Sequence, residues 1–375
     1  EELEQVFAGR RPGYVYSRIS NPTVAEFEAR LAALEDGRGA VAVASGMAAV
    51  TAALTALAKS GDSVIISKSL FGGTLLLATT ILPRQGIVVR AVDMEDPDAV
   101  AAAIDETTRA VFLESIGNPK LDVLPIREIC AAATERGVPT IVDNTLATPV
   151  LLRPKNHGAA LVVHSTTKFI NGSGTAVGGV VVDTGVFDWS RHRDADLAAT
   201  VKRAGPFGFL VHLRRRIVQN VGSFMAPIVA WTQLQGVATL GLRVVRHCEN
   251  AAALARFLES RREVVAVHYP GLESSPWHER AERTLSGGYG GLLTFRLGSQ
   301  AAAFEVLNRL SLVSQLANLG DAKTLAIHPY STIYHECSDE ERSAAGVTED
   351  LVRVSVGIET ESDIISDFSQ ALGGI

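Results

Sequence analysis

The chain is short of several things, and each shortage closes a route. Its three cysteines, Cys130, Cys248 and Cys337, are odd in number and far apart. Neither a disulfide framework nor a metal-binding spacing can be built from them, and such usage fits a reduced, cytoplasmic setting. No apolar run approaches the ~18 residues of a membrane-spanning helix, and no signal peptide is visible. Basic residues are not massed: the densest run is Arg214-Arg215-Arg216, and the net charge is −6. Nucleic acid is therefore not the expected partner, because neutralising phosphates takes clustered cations. The three arginines suit a solvated loop or helix end. Several catalytic signatures are missing as well. Gly172-Ser173-Gly174 has valine at 177 where a dinucleotide fingerprint needs its third glycine, and there is no Walker A, H-E-x-x-H or G-x-S-x-G run. A nicotinamide dehydrogenase is disfavoured accordingly.

What remains is a globular chain. It has 375 residues, 47% of them hydrophobic and 20% charged, enough for two or three domains at about 150 residues each. Between about 40 and 185, strand-like runs (63–66, 88–92, 110–113, 140–142, 161–163 and 179–182) alternate with alanine-rich helical segments such as 47–58 and 126–134. Such alternation predicts a mostly parallel sheet covered by helices on both faces, with ligands at the carboxyl ends of its strands. A long helical stretch follows over 224–262, dented by Gly236 and Gly241, and a domain boundary is expected near 250. The remainder reads as a smaller α/β domain with strands at 264–269, 291–296 and 351–355 and a closing helix over 361–372. The expected organisation is an N-terminal arm (1–35), a large domain (36–250) and a small domain (251–375).

Two strand ends carry the chemistry. Lys168, in His164-Ser165-Thr166-Thr167-Lys168-Phe169, closes one apolar run and opens the loop Asn171-Gly172-Ser173-Gly174. The preceding run, 138–142, ends in Asp143-Asn144. A lysine at the end of a buried strand is poised for covalent chemistry. With an acid at the neighbouring strand end it suggests pyridoxal 5′-phosphate, held as a Schiff base by Lys168 with its ring nitrogen kept protonated by Asp143. Taken alone, Asp143 reads as a cap for the segment after it rather than as a cofactor ligand. Ser45-Gly46-Met47-Ala48-Ala49 opens a helix after a strand and offers N–H groups and a dipole to an anion; alone it is a plain N-cap. Ser165 and Thr167 bring hydroxyls close to Lys168. Arg353, in a strand-like run, is costly to bury without an anion and could grip a carboxylate; the alternative is a surface strand arginine. Asn118-Pro119 is an ordinary turn pair, Tyr16 and Arg18 are weak signals singly, and His164 suits a packed strand histidine.

Jointly the segments resemble the Cys/Met-metabolism family of pyridoxal-phosphate enzymes. The matching pieces are Tyr16-Ser-Arg18 with Asn21-Pro22-Thr23, Ser45-Gly46-Met47-Ala48-Ala49, Gly72-Gly73-Thr74, Asn118-Pro119, Val142-Asp143-Asn144-Thr145, His164-Ser165-Thr166-Thr167-Lys168 and Arg353-Val-Ser355-Val-Gly357. They cover nearly the whole chain in family order. Glu114-Ser115-Ile116-Gly117-Asn118-Pro119-Lys120-Leu121, 174–180, 316–323 and 355–359 are similar to the O-acetylhomoserine sulfhydrylases of that family. The resemblance implies an aspartate-aminotransferase-like (type I) fold, with a large domain around a mostly parallel sheet and a smaller C-terminal α/β domain. It implies a transferase of amino-acid metabolism, in primary methionine biosynthesis or specialised pathways. Lys168 would bind the cofactor and shuttle protons, Asp143 would pair with the ring nitrogen, and Asn118 would face the ring hydroxyl. Ser45, Gly46, Met47, Ser165 and Thr167 would surround the phosphate. Tyr16 and Arg18 would reach the phosphate in a neighbouring subunit, in a homo-oligomer, usually a tetramer, with shared active sites. Arg353, helped by Asn318, would grip the substrate carboxylate.

Two departures stand out. The family usually has tyrosine before Gly-Gly-Thr, stacked on the pyridine ring. Here Phe71 keeps the stacking face and lacks the hydroxyl, which disfavours a β-lyase. Family members also carry a longer segment ahead of Tyr16 than the fifteen residues here, so the arm is expected to be truncated. The expected reaction is γ-replacement on an O-activated homoserine, O-acetyl-L-homoserine first, by sulfide or a thiol. The alternatives are a γ-lyase releasing 2-oxobutanoate, γ-replacement by a non-sulfur nucleophile, and a non-catalytic cofactor-binding module.

Overall fold

The computed structural model describes residues 1–7, 11 and 13–374. Its centre is a seven-stranded sheet in the order β1-β7-β6-β5-β4-β2-β3. The strands are β1 (Gly39–Val43), β2 (Ser63–Ser67), β3 (Val88–Val92), β4 (Thr108–Glu114), β5 (Thr140–Asp143), β6 (Leu161–His164) and β7 (Gly179–Asp183). β3, β2, β4, β5 and β6 are successively parallel, while β7 is antiparallel to both β6 and β1. The reversal has a local cause. β6 and β7 are joined by the loop that carries Lys168, with no crossover helix to return the chain to the opposite edge.

Both faces of the sheet are covered, which is why its strands are continuous apolar runs. Val142, Val162, Val180 and Val182 enter one core, and Ile141, Leu161, Val163 and Val181 enter the other. The Pro22–Leu34 helix, capped by the Asn21 side chain at Thr23 N and Val24 N, buries Phe27 and Leu31 in the first core. The expected 1–35 arm is thus divided. From Pro22 onward it packs on the sheet, 13–20 lies ahead of that packing, and residues 8–10 and 12 fall outside the described residues.

The long helix spans Pro227–Glu259 and serves two cores: Val244 and Cys248 belong to that of the large sheet, Ala251, Leu254 and Leu258 to that of the small domain. The small sheet runs β10-β11-β12-β9-β8, with β8 Ala266–His268, β9 Leu292–Arg296, β10 Ser314–Gln315, β11 Leu325–Ile327 and β12 Leu351–Ser355. β10 and β11, two and three residues long, leave no alternation for a sequence to display. One expectation is corrected here. An 18-residue window of the long helix is apolar enough to cross a membrane by length and composition. Its inner face instead carries buried polar anchors. Arg243 donates to the carbonyls of Phe169, Ile170 and Gly236, His247 bonds Val356 O, and Asn250 donates to Gly357 O.

The two dents in this helix differ. A Cβ on Gly236 would lie 2.3 Å from Asn171 O and 2.4 Å from Ile170 O, whereas one on Gly241 would meet nothing within 4 Å. Gly236 therefore lets the helix press against the loop following Lys168. Gly236→Ala is expected to lower the thermal midpoint by several degrees, and Gly241→Ala, which gains helix propensity, is expected not to lower it. Scanning calorimetry of the two variants checks this, and equal midpoints would refute it.

Candidate active site

The loops after β1, β2, β4, β5 and β6 open on one side of the large sheet and meet β12 of the small sheet around a cavity. Gly46 and Met47 open the helix that follows the first loop, Phe71 comes from the second, Asn118 from the third, Asp143 from the end of β5, and Ser165 and Lys168 from the loop after β6. Arg353 closes the cavity from β12.

Ser45 caps the Gly46–Leu57 helix, its Oγ accepting from Ala48 N at 3.1 Å. Its hydroxyl is committed to the helix, and the N–H groups beyond it face an anion site of the usual kind. A Cβ at Gly46 would stand 2.5 Å from Ser165 Cβ, so only glycine lets the helix start and the Lys168 loop approach this closely.

Asp143 Oδ1 accepts from Thr145 N at 3.0 Å and from Thr145 Oγ1 at 2.5 Å, and Thr145 Oγ1 in turn accepts from Ser165 N at 2.8 Å. Burial pushes the Asp143 carboxyl above the usual carboxylate range; the Thr145 hydrogen bonds and the nearby His164 oppose this. His164 lies on the opposite face of the sheet, fully buried, with Nε2 2.6 Å from Glu35 Oε1.

Lys168 Nζ donates to Asn318 Oδ1 at 2.6 Å. Burial, and then the charge of Arg353, lower its pKa to about 8. Arg353, 2% exposed, donates to Asn118 Oδ1 at 3.2 Å and to Asn318 O at 3.1 Å; its Nε is buried without a partner. Burial lowers its pKa to about 10. A buried guanidinium held only by neutral oxygens calls for an anion.

Several groups sit differently from expectation. The side-chain oxygen of Asn118 faces Arg353, leaving only its NH2 for a ring hydroxyl; the Asn118-Pro119 bond is cis. Asn318 directs its side chain to Lys168 and reaches Arg353 only through its carbonyl. The Thr167 hydroxyl is taken up by Gly178, donating to its O at 3.2 Å and accepting from its N at 3.1 Å, and it does not border the cavity. Tyr16, 59% exposed, and Arg18, bonded to Gln219 O, lie away from this chain's own cavity. Among the cavity residues with no role in the sequence reading are Glu114, whose Oε1 accepts from Phe71 N at 2.7 Å, and Thr145. Strand alternation was the available signal for Glu114, which ends β4 in register with Asp143.

The residues present suit pyridoxal phosphate. An amine of lowered pKa, a carboxyl on the neighbouring strand, an aromatic ring and a helix N-terminus border one cavity. A Cβ on Gly73 would lie 2.7 Å from Phe71 Cε1, so glycine there makes room for the ring. Among the described residues no group of three His, Cys, Asp or Glu could hold a metal.

With a pKa of about 8, Lys168 is largely uncharged above that pH, whereas an ordinary lysine is not until about 10.4. In the cofactor-free protein, acylation of Lys168 is expected to rise through a midpoint near pH 8, as followed by peptide mass spectrometry. A midpoint matching surface lysines would sink this reading.

Residues 1–373 match the family described as Cys/Met metabolism PLP-dependent enzyme. The chain is 45% identical over 381 residues to the homocysteine synthase of Schizosaccharomyces pombe, covering 98% of this chain and 89% of that protein. It is 43% identical to O-acetyl-L-homoserine sulfhydrylase 1 of Thermus thermophilus, over 99% of this chain and 91% of the other. Among solved structures, an O-acetylhomoserine sulfhydrylase from Wolinella succinogenes superposes with a TM-score of 0.85 at 40% identity, over 95% of this chain and 99% of that one. An O-acetylhomoserine (thiol)-lyase structure from Campylobacter jejuni, containing a pyridoxyl-lysine monophosphate, gives a TM-score of 0.92 at 35% identity, over 99% of this chain and 91% of that one. With a cavity built for the cofactor and kinship along its whole length, the chain belongs to the Cys/Met-metabolism family of pyridoxal-phosphate-dependent enzymes.

Proposed function

We propose that this enzyme catalyses γ-replacement on O-acetyl-L-homoserine. Sulfide or a thiol takes the place of acetate at Cγ, giving homocysteine or a thioether amino acid. The observation that carries the reading is the pairing, in one cavity, of an amine whose pKa burial lowers to about 8 with a buried guanidinium that has no acidic partner. The first acts as base and the second receives a carboxylate. The relatives named above as homocysteine synthase and O-acetyl-L-homoserine sulfhydrylase support the choice of substrate.

When bound, pyridoxal phosphate supplies an aldehyde for an amine and an electron sink that acidifies neighbouring C–H bonds. The chain does the rest. Asp143, oriented by Thr145, holds the proton on the ring nitrogen; the positive ring in return favours the ionised carboxylate that burial alone disfavours. Gly46 and Met47 N–H groups and the Ser165 hydroxyl receive the phosphate. Arg353 turns from Asn118 and Asn318 to the substrate carboxylate. Lys168 Nζ, released from Asn318 Oδ1, takes the proton from Cα, hands it on, and as a free amine again takes the proton from Cβ. Its pKa of about 8 gives it a far larger share of free base near neutral pH than an ordinary lysine has. Phe71 gives a stacking face and no proton, so departure of the leaving group depends on acetate being stable as an anion.

Tyr16 and Arg18, remote from their own cavity, are assigned to a neighbouring subunit's phosphate in a homo-oligomer, with a tetramer as the expected form. Exposed Ile228, Trp231 and Leu242 on the long helix offer apolar surface for such assembly. Light scattering showing a monomer at working concentration would contradict it. The buried, unpaired cysteines accord with a reducing cytoplasm, which cell fractionation tests.

Lys168→Ala is expected to abolish turnover, and Asp143→Asn to slow Cα–H exchange by orders of magnitude in deuterium-exchange NMR. Near-normal turnover in the first, or unchanged exchange in the second, refutes the role concerned. The reaction itself is tested by incubating the holoenzyme with O-acetyl-L-homoserine, with and without sulfide. Homocysteine formed only with sulfide supports replacement. Equal 2-oxobutanoate in both tubes makes the enzyme a lyase.

A further inference from the structure

One buried acid in the cavity is not used by the chemistry above. Glu114 ends β4, is 6% exposed, and is the register partner of Asp143 at the end of β5. Phe112 and Ile141 enter the same core, so two residues further along each strand Glu114 and Asp143 share that face. Two acids thus stand side by side, Glu114 buried and Asp143 half-buried at the cavity wall. Neither forms an ion pair among the described residues, although Lys and Arg elsewhere in the chain find Asp or Glu readily, as in the pairs Arg109–Asp62 and Arg214–Glu28.

The Glu114 side chain ties two loops together. Its carboxyl accepts from Phe71 N at 2.7 Å and also from the backbone N–H of Asn118. Phe71 is the cavity's aromatic ring, and Asn118 is the partner of Arg353. The groups facing Glu114 are acidic or neutral. Asp143 comes from β5 and Asp122 from the segment after β4; the phenol of Tyr334, from the small domain, donates to Leu70 O and Asn118 O. The two cavity cations are occupied elsewhere, Lys168 with Asn318 and Arg353 with Asn118 and Asn318.

We propose that Glu114 is a positioning residue of this site: an uncharged carboxyl that anchors Phe71 and Asn118 to the end of β4 and leaves Asp143 as the only negative side chain of the cavity. Two adjacent ionised carboxylates would repel each other in a low-dielectric site, and the one opposite a protonated ring nitrogen is the one that can ionise. Burial first, and the Asp143 charge second, hold the Glu114 carboxyl well above the usual range. The inference rests on the assignment of Asp143 to the ring nitrogen and is independent of the substrate.

The test compares Glu114→Gln with Glu114→Ala. Glutamine keeps the acceptor and the volume and cannot ionise; alanine removes the anchor. Glu114→Gln is expected to bind pyridoxal phosphate within about threefold of the parent, with an unchanged visible spectrum. Glu114→Ala is expected to lose about tenfold or more in cofactor affinity and to shift the absorption band, since two buried N–H groups lose their acceptor. Infrared spectra of the holoenzyme should show a protonated carboxyl stretch that Glu114→Gln removes. If glutamine is as damaging as alanine, if alanine leaves affinity and spectrum intact, or if that stretch is absent from the parent, the proposal is overturned. No homoserine ester enters these measurements, so an error in the substrate leaves them unaffected.

Discussion

Four ionisable side chains, Glu114, Asp143, Lys168 and Arg353, border one cavity, and none forms an ion pair with another or with any described residue. That is an expensive arrangement in a protein interior, where an unpaired charge loses its hydration without return. Each group answers the cost in its own way. Burial moves the carboxyls of Glu114 and Asp143 toward the neutral form and lowers the pKa of the Lys168 amine to about 8. Arg353 stays a cation and borrows neutral oxygens from Asn118 and Asn318. In the proposed function, a cofactor with an anionic phosphate, a protonatable ring nitrogen and an aldehyde, and a substrate with a carboxylate, would supply what each group lacks.

The rest of the fold holds these groups at that distance from water. The parallel strands carry few polar residues until their ends, so the polar positions fall together at one edge. Arg353 comes from the other sheet, and the relation of the two sheets therefore matters to the site. The long helix bears on that relation. Its inner polar residues grip both the loop behind Lys168, through Arg243, and the strand end at Val356 and Gly357, through His247 and Asn250. Gly236 allows the close approach that these bonds need.

The hydroxyl-bearing residues near the proposed phosphate site divide according to what else claims them. Ser45 is bound to the start of its helix and Thr167 to the chain at Gly178, while Ser165 borders the cavity. Adjacent hydroxyls in a motif look alike in sequence; which are free depends on how the chain folds back, here on Gly178 at the far end of the Lys168 loop.

The alternation of apolar runs with helical segments, the strand ends at Asp143 and Lys168, and the glycine at the start of the Gly46–Leu57 helix were legible in the chain, because each depends on neighbours a few residues away. So was the membership of the family, carried by motifs in order along the chain. The tertiary structure alone decided that Glu114 stands beside Asp143, that Asn318 holds Lys168 with its side chain, and that Asn118 turns its oxygen to Arg353. It also decided that the apolar Pro227–Glu259 helix packs by buried polar anchors. These depend on contacts between residues distant in sequence, and no local pattern encodes a hydrogen bond whose partner lies a hundred or more residues away.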